Sequence, residues 1–165
     1  MENQRTVDVN LINPFLSTVM HVLRTMAQVN PIPGRPFLKE QGATAKGDVT
    51  GYIGLAGTSA RGSMAISFDE ETLLFITTRI FGERPTELNR EVLDVVGEIT
   101  NIVTGGGKQA LSKYGYKFEM AIPSVIQGKN HAIYHSTPGP IIVVPFTFEE
   151  EEDRRFFIEI CMEKL

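Results

Sequence analysis

The residues whose types and spacing suggest chemistry are Asp94, Glu98 and Asn101, which follow one another at intervals of four and three residues. At roughly 100° per residue, this spacing places the three side chains on one side of an α-helix. The opposite side is apolar and carries Val92, Val95, Val96, Ile99, Ile102 and Val103. The pattern predicts a long amphipathic helix whose polar edge presents two carboxylates and one amide.

Glycines surround this polar edge, at Gly97 and at Gly105 to Gly107. Each costs about 1 kcal/mol relative to alanine inside a helix, which suggests that a partner or a packed neighbour comes close to the backbone. Spacing alone leaves two interpretations open. The edge is either a binding or catalytic surface, or a solvated helix face whose glycines allow packing between helix and sheet.

Capping residues and helix breakers predict where two of the helices begin and end. Asn89 can cap the helix that carries the polar edge, and we expect this helix to run to about Tyr114. Asp69 can cap a shorter helix over Glu70 to Phe81, which Gly82 ends. The polar edge should therefore lie in the first half of a long helix.

A first long helix is predicted over Ile12 to Val29, and its apolar register repeats that of the helix with the polar edge. When Ser17 is aligned with Asp94, the apolar positions coincide as Phe15 with Val92, Val19 with Val96, and Val22 with Ile99. The same alignment places His21 against Glu98 and Arg24 against Asn101. A weak internal duplication follows, in which only the second helix carries the polar edge.

Apolar segments that alternate or run continuously predict β-strands around these helices. Before the short helix, the predicted strands are Pro36 to Lys39, Val49 to Leu55 and Gly62 to Phe68, arranged as an antiparallel meander. After the long helix, they are Phe118 to Gln127, Ala132 to Ser136, Ile141 to Phe148 and Phe156 to Met162. The predicted fold class is α+β, with two long helices and a shorter one on one face of a mainly antiparallel sheet.

Composition restricts the range of functions. A chain of 165 residues falls within the usual size of one domain, so residues 1–165 are expected to form a single domain. The single Cys161 excludes an intrachain disulfide and any multi-cysteine metal cluster. A net charge of −4 gives no general attraction to nucleic acid or anionic lipid. The polar start, Met1 to Asn10, lacks the apolar core of a signal peptide, so we expect a cytoplasmic protein without membrane insertion.

Other residues with chemical potential are weaker candidates. Thr104 to Lys108 resembles a nucleotide-binding loop, but it lies within a helix pattern and Gln109 stands where Ser or Thr is needed. His131 and His135 share one side of a predicted strand, where a metal site would still need a third ligand. We expect ordinary sheet positions for both, and a buried, unreactive thiol at Cys161.

The segment Asp94-Val-Val-Gly-Glu98-Ile-Thr-Asn101, followed by a glycine-rich run and later by Pro123, resembles the signature of the CheC, CheX and FliY chemotaxis phosphatases. That signature has Asp or Ser, three residues, Glu, two residues, Asn, and a later proline. The segment Gly47 to Phe68 is similar to the family's paired strands, and the resemblance extends from about Ile12 to Cys161. Because the first helix lacks the Glu and Asn, the resemblance favours the CheX branch and one active site per chain.

The resemblance implies that the chain removes phosphate from a phosphorylated CheY-type receiver domain without a covalent enzyme intermediate. It implies no cofactor of the chain's own, because the partner would bring the phosphoaspartate, its Mg²⁺ and a lysine. Asn101 would hold the attacking water, since an amide can both accept and donate a hydrogen bond. Glu98 would dock the partner lysine.

The resemblance also implies roles for neighbouring residues. Asp94 would orient polar neighbours, Pro123 would shape the strand beside the helix, and Gly97 and Gly105 would contact the partner. Members of the CheX branch pair through sheet edges, which implies a homodimer. The alternative function is a non-catalytic module of the same fold that binds receivers or serves as a flagellar-switch adaptor.

Overall fold

In the computed structural model, which describes residues 8–165, the chain forms three helices and an eight-stranded sheet. Residues 1–7 of the polar start lie outside the described residues. The helices are α1 (Val9–Ala27), α2 (Glu70–Phe81) and α3 (Arg90–Ser112). The strands are β1 (Pro31–Pro33), β2 (Phe37–Leu38), β3 (Val49–Gly57), β4 (Ala60–Phe68), β5 (Phe118–Met120), β6 (Ser124–Gln127), β7 (Ile142–Phe148) and β8 (Phe156–Lys164).

The predicted caps of α2 and α3 are confirmed. The Asp69 carboxylate accepts a hydrogen bond from the backbone N–H of Thr72 at 2.7 Å, and the Asn89 side chain accepts one from Val92 N–H at 3.0 Å. Gly82 ends α2 with a φ of 81°, a left-handed conformation that glycine adopts without strain. The Asn89 cap fixes where α3 begins, and so places the polar edge in the first half of that helix.

The predicted α+β architecture is confirmed, with the helices packed on one face of an antiparallel sheet whose order is β1-β7-β8-β4-β3-β5. The predicted antiparallel meander is wrong in its first strand, Pro36 to Lys39. This segment forms β2, which pairs with β7 and not with β3, and the neighbouring β1 also pairs with β7. β3 has no free edge for β2, since β4 occupies one side and β5 and β6 occupy the other.

Two of the strands predicted after α3 also differ from expectation. The segment Phe118 to Gln127 is divided into β5 and β6 by residues 121–123, where Pro123 has no N–H to donate to a neighbouring strand. Ala132 to Ser136 is irregular, and hydrogen bonds from side chains hold it on the sheet face opposite the helices. His131 Nε2 lies 2.6 Å from Thr50 Oγ1, and His135 Nδ1 lies 2.6 Å from Ser63 Oγ.

The main core lies between the helices and the sheet, and its largest fully buried side chains are Phe15, Phe68, Phe118, Phe146, Phe148 and Phe156. The apolar positions that the sequence aligns between α1 and α3 are buried in both helices. Each half of the chain supplies one long helix and one long hairpin, and the hairpins β3–β4 and β7–β8 meet where β4 pairs with β8. This arrangement agrees with the predicted duplication.

No helix among residues 8–165 is long and apolar enough to cross a membrane.

Candidate functional site

The polar edge predicted on α3 is present, and Asp94, Glu98 and Asn101 are all exposed on the side of the helix that faces away from the core. Within residues 8–165, no side-chain hydrogen bond or ion pair engages any of the three. The carboxylates and the amide are therefore free to interact with a partner.

An open groove of about 440 Å³ separates this edge from the segment that joins β5 to β6. Its walls are formed by Asp94, Gly97, Glu98, Asn101, Ala121, Ile122, Pro123 and Val125. The structure thus brings together four of the predicted site residues and Pro123, which lies more than twenty positions away in the sequence. It also adds three apolar residues that the sequence pattern did not single out.

A close approach between α3 and β3 sets the position of the polar edge. A Cβ on Gly51 of β3 would lie 1.9 Å from Thr100 Oγ1, so only glycine permits the observed distance between helix and strand. The Thr100 hydroxyl donates to the backbone oxygen of Val96 at 2.7 Å, which satisfies this buried polar group. The turn of α3 that carries Glu98 and Asn101 is therefore held rigidly against the sheet.

The glycines of α3 divide into two groups. Gly106 and Gly107 face α1, where a Cβ would lie 2.4 Å from Thr18 Cγ2 and 2.4 Å from the Phe15 ring, respectively. Packing between the two helices accounts for this pair. A Cβ on Gly97 would make an ordinary contact of 3.5 Å with Val125, and one on Gly105 would meet nothing within 4 Å in the described chain. Internal packing does not require glycine at either position.

Ile102 departs from the predicted apolar stripe, because its side chain is 38% exposed. At 100° per residue, Ile102 lies next to Glu98 at the border between the apolar and polar sides of α3. The polar edge therefore has an exposed isoleucine on one flank and the groove on the other.

The α1 positions aligned with the polar edge are also exposed, and they hold Ser17, His21 and Arg24. None of these residues lines the groove beside α3. The exposed face of α1 lacks a carboxylate at the position of Glu98 and an amide at the position of Asn101.

A buried ionic cluster lies on the sheet face opposite the helices, where Lys39 Nζ forms an ion pair with Glu159 Oε1. His135 Nε2 lies 4.0 Å from the other carboxylate oxygen, Oε2. Burial alone would raise the pKa of Glu159, but its interactions with the nearby His135 and Lys39 outweigh burial and hold that pKa below its usual value. The cluster anchors residues 39 and 135 to β8 and is remote from the polar edge.

The structure also accounts for the other residues that the sequence suggested as site candidates. Thr104 to Lys108 lies inside α3, so its amides are not free to cradle a phosphate as a nucleotide-binding loop would. Cys161 is buried, and burial followed by the nearby Glu163 carboxylate raises the pKa of its thiol. Its Sγ donates to the backbone oxygen of Thr137 at 3.2 Å. Among residues 8–165, no group of three or more His, Cys, Asp or Glu side chains could hold a metal ion.

Comparison with known proteins shows the family to which the chain is similar. Residues 49–147 match the family described as chemotaxis phosphatase CheX. The chain is 26% identical over 148 residues to the CheY-P phosphatase CheX of Thermotoga maritima, covering 89% of this chain and 93% of that protein.

Solved structures agree with this match. The crystal structure of the chemotaxis protein CheX from Vibrio vulnificus is 48% identical, with a TM-score of 0.84 and coverage of 93% of this chain and 99% of that one. A chain of the CheX-CheY-BeF3-Mg²⁺ complex from Borrelia burgdorferi is 29% identical, with a TM-score of 0.76 and coverage of 95% of this chain and 100% of that one.

Proposed function

Since the chain belongs to the CheX family of chemotaxis phosphatases, we propose that it accelerates hydrolysis of the phosphoaspartate of a CheY-type response regulator. The observation that carries this proposal is the pair Glu98 and Asn101, which lie one turn apart on a rigid helix, unengaged by neighbours within residues 8–165 and open to a partner. A related CheX in complex with CheY, BeF3 and Mg²⁺ supports a CheY-type receiver as the partner.

Asn101 is assigned the role of positioning the attacking water. Its amide oxygen can accept a hydrogen bond from the water while its amide nitrogen donates to a phosphoryl oxygen or to a second water. An aspartate in this place would repel the phosphoryl group. Because the turn of α3 around Asn101 packs closely against Gly51 of β3, the backbone that carries the amide is in place before the partner arrives, and only the side-chain torsions of Asn101 remain to be fixed in the complex.

Glu98 is assigned the role of docking the helix on the receiver. Its carboxylate is exposed and has no partner within the described part of the chain, so an ion pair with a receiver lysine would displace no internal contact. Such a pair strengthens when the interface excludes water, and it fixes the register between the two proteins. The chemistry needs no covalent bond between the receiver's phosphate and this chain.

The remaining site residues support these two. Asp94 lies one turn before Glu98 on the groove wall, where its carboxylate orients polar groups at the border of the contact. Pro123 interrupts the neighbouring strand and so opens the groove. Gly97 and Gly105, which internal packing leaves free, allow the receiver backbone to approach the helix closely.

The proposal also covers the metal ion, the location of the protein in the cell and the pairing of two chains. The Mg²⁺ would be held by the receiver, where it would neutralise charge on the phosphoaspartate, and no ligand for it is assigned to residues 8–165 of this chain. Residues 1–165 act as one domain in the cytoplasm, where phosphorylated receivers are found. Two chains pair through sheet edges, for which the outer strands β1 and β2 or β5 and β6 supply unpaired backbone groups.

The direct test is to mix the purified protein with phosphorylated CheY-type receivers from the same source and to follow phosphate release. The proposal predicts faster loss of phosphate in the presence of this chain, with a rate that saturates as the receiver concentration rises. Receiver binding without faster phosphate release would indicate the alternative, a non-catalytic adaptor.

A further inference from the structure

Beside α3, the pairing of β3 with β5 and β6 leaves one extra residue in the segment between β5 and β6, at the wall of the groove. Tyr52 of β3 pairs with Ser124, and Leu55 of β3 pairs with Met120. Residues 121–123 therefore face only residues 53–54, so that three residues oppose two, as in a β-bulge. A bulge bends its strand and redirects side chains, and bulges are frequent next to functional sites.

The side chain that this bulge presents to solvent is Ile122, which is 90% exposed. Val125 on β6 is also partly exposed, and Ile102 is partly exposed on the other flank of the polar edge. These three side chains, Ile102, Ile122 and Val125, are called the apolar rim below. A single exposed isoleucine needs no explanation, but apolar side chains on both sides of a free carboxylate and a free amide form the pattern of a binding surface.

We propose that the apolar rim packs against an apolar patch on the receiver domain, beside the phosphoaspartate and lysine that Asn101 and Glu98 engage. This contact rests on the proposed function, since the same receiver occupies the groove. Apolar contacts that surround a charged pair exclude water from it, and the pair is then stronger than it would be on an open surface.

The charges on this face favour a receiver over a second copy of this chain. An isologous contact through the rim would bring the acidic edge of one copy, with Asp94 and Glu98, close to the same edge of the other copy. Like charges so placed repel one another across the interface. A receiver that supplies a lysine meets the acidic edge with the opposite charge.

The test compares Ile122→Ser with wild type in steady-state dephosphorylation of a phosphorylated CheY-type receiver. We expect KM to rise roughly tenfold and kcat to change less than about twofold, because an isoleucine buried in the complex contributes to binding and does not touch the reacting atoms. Ile122→Asp should raise KM further. Tyr134→Ser is the matched control, since Tyr134 is 87% exposed but does not line the groove.

Binding of the receiver charged with beryllofluoride and Mg²⁺ provides a second readout, and its Kd should rise with KM. Wild-type KM and Kd in both Ile122 variants, with normal phosphate release, would overturn the apolar contact and leave the proposed function intact. Binding that is weakened in both variants, with no phosphate release from wild type, would support the contact and contradict the proposed phosphatase activity.

Discussion

Gly107 of α3 and Phe15 of α1 are in direct contact, because a Cβ on Gly107 would lie 2.4 Å from the Phe15 ring. Gly105, two residues earlier on the same helix, has open space where its Cβ would be. One glycine thus serves the packing of α1 on α3, whereas the other lies on the side of the polar edge. The two positions therefore allow helix packing and the proposed partner contact to be tested separately within a single helix.

Alanine at these two positions should have opposite effects on stability. Gly107→Ala forces a methyl group into a buried aromatic ring and should lower the free energy of unfolding by about 1–3 kcal/mol. Gly105→Ala should raise it by up to about 1 kcal/mol, because alanine favours the helix and meets no neighbour. Urea unfolding measures both changes. Gly105→Ala should also raise the KM for the receiver, and an unchanged KM would remove Gly105 from the partner contact.

The charge at position 98 should control association with the receiver. Glu98→Lys should raise the Kd for a receiver charged with beryllofluoride more than Glu98→Gln does, because it places like charges together. Titration with the purified receiver measures this difference. Glu152→Lys, at the exposed tip of the β7–β8 hairpin, is a control that makes the same change in net charge. Equal affinities for wild type and Glu98→Lys would exclude the docking role.

The sequence predicts the bounds of α2 and the start of α3 well because local residues mark them, whereas α1 spans Val9–Ala27 and not the predicted Ile12 to Val29, since Asp8 caps its start and Gln28 ends it. Asp69 and Asn89 cap α2 and α3 as predicted, and Gly82 ends α2, through contacts within one turn. Such local contacts do not depend on the rest of the fold. The three polar residues on α3 could be grouped for the same reason, since helical spacing alone places them together.

What the sequence does not predict depends on contacts between distant segments. The pairing of β2 with β7 depends on which edges the longer strands leave free. Ala132 to Ser136 has the composition of a strand, but His131 and His135 bond to hydroxyls on the sheet and hold the segment as a loop. The bulge that exposes Ile122 follows from a register difference between β5 and β6, for which Pro123 was the available signal.

The first long helix, α1, should take no part in catalysis. His21 and Arg24 occupy the α1 positions aligned with Glu98 and Asn101, and a guanidinium has no acceptor with which to hold a water. The double change His21→Ala and Arg24→Ala should therefore leave phosphate release per folded molecule near wild type. A single receiver should bind per chain, which light scattering of the complex would measure. A large loss of turnover in this variant would show that α1 takes part.

The buried pair of Lys39 and Glu159 should make stability depend on pH. The pKa of Glu159 is lower in the folded protein than its ordinary value of 4.5, so its contribution is complete above that pH and is lost as the pH falls through the folded pKa. Glu159→Gln should lower the free energy of unfolding at neutral pH by about 3 kcal/mol, because it leaves a buried ammonium without its carboxylate.

The dependence of folding stability on pH in the acid range tests this role of the Lys39–Glu159 pair. Urea unfolding from neutral pH to below 4.5 should show a steeper loss of stability for wild type than for Glu159→Gln. The double change Lys39→Met and Glu159→Leu should recover part of the stability, since an apolar pair needs no buried partner charge. Parallel pH profiles for wild type and Glu159→Gln would contradict the assignment.

The most direct measurement compares phosphate release from a phosphorylated CheY-type receiver by wild type, Asn101→Ala and Arg24→Ala at matched folded concentrations. Arg24 is the α1 counterpart of Asn101, so its variant controls for the loss of an exposed polar side chain on a long helix. If Asn101 orients the attacking water, Asn101→Ala should lower kcat by about 10² to 10³ with little change in receiver affinity, and Arg24→Ala should match wild type. A folded Asn101→Ala variant that turns over at the wild-type rate would contradict the proposed mechanism.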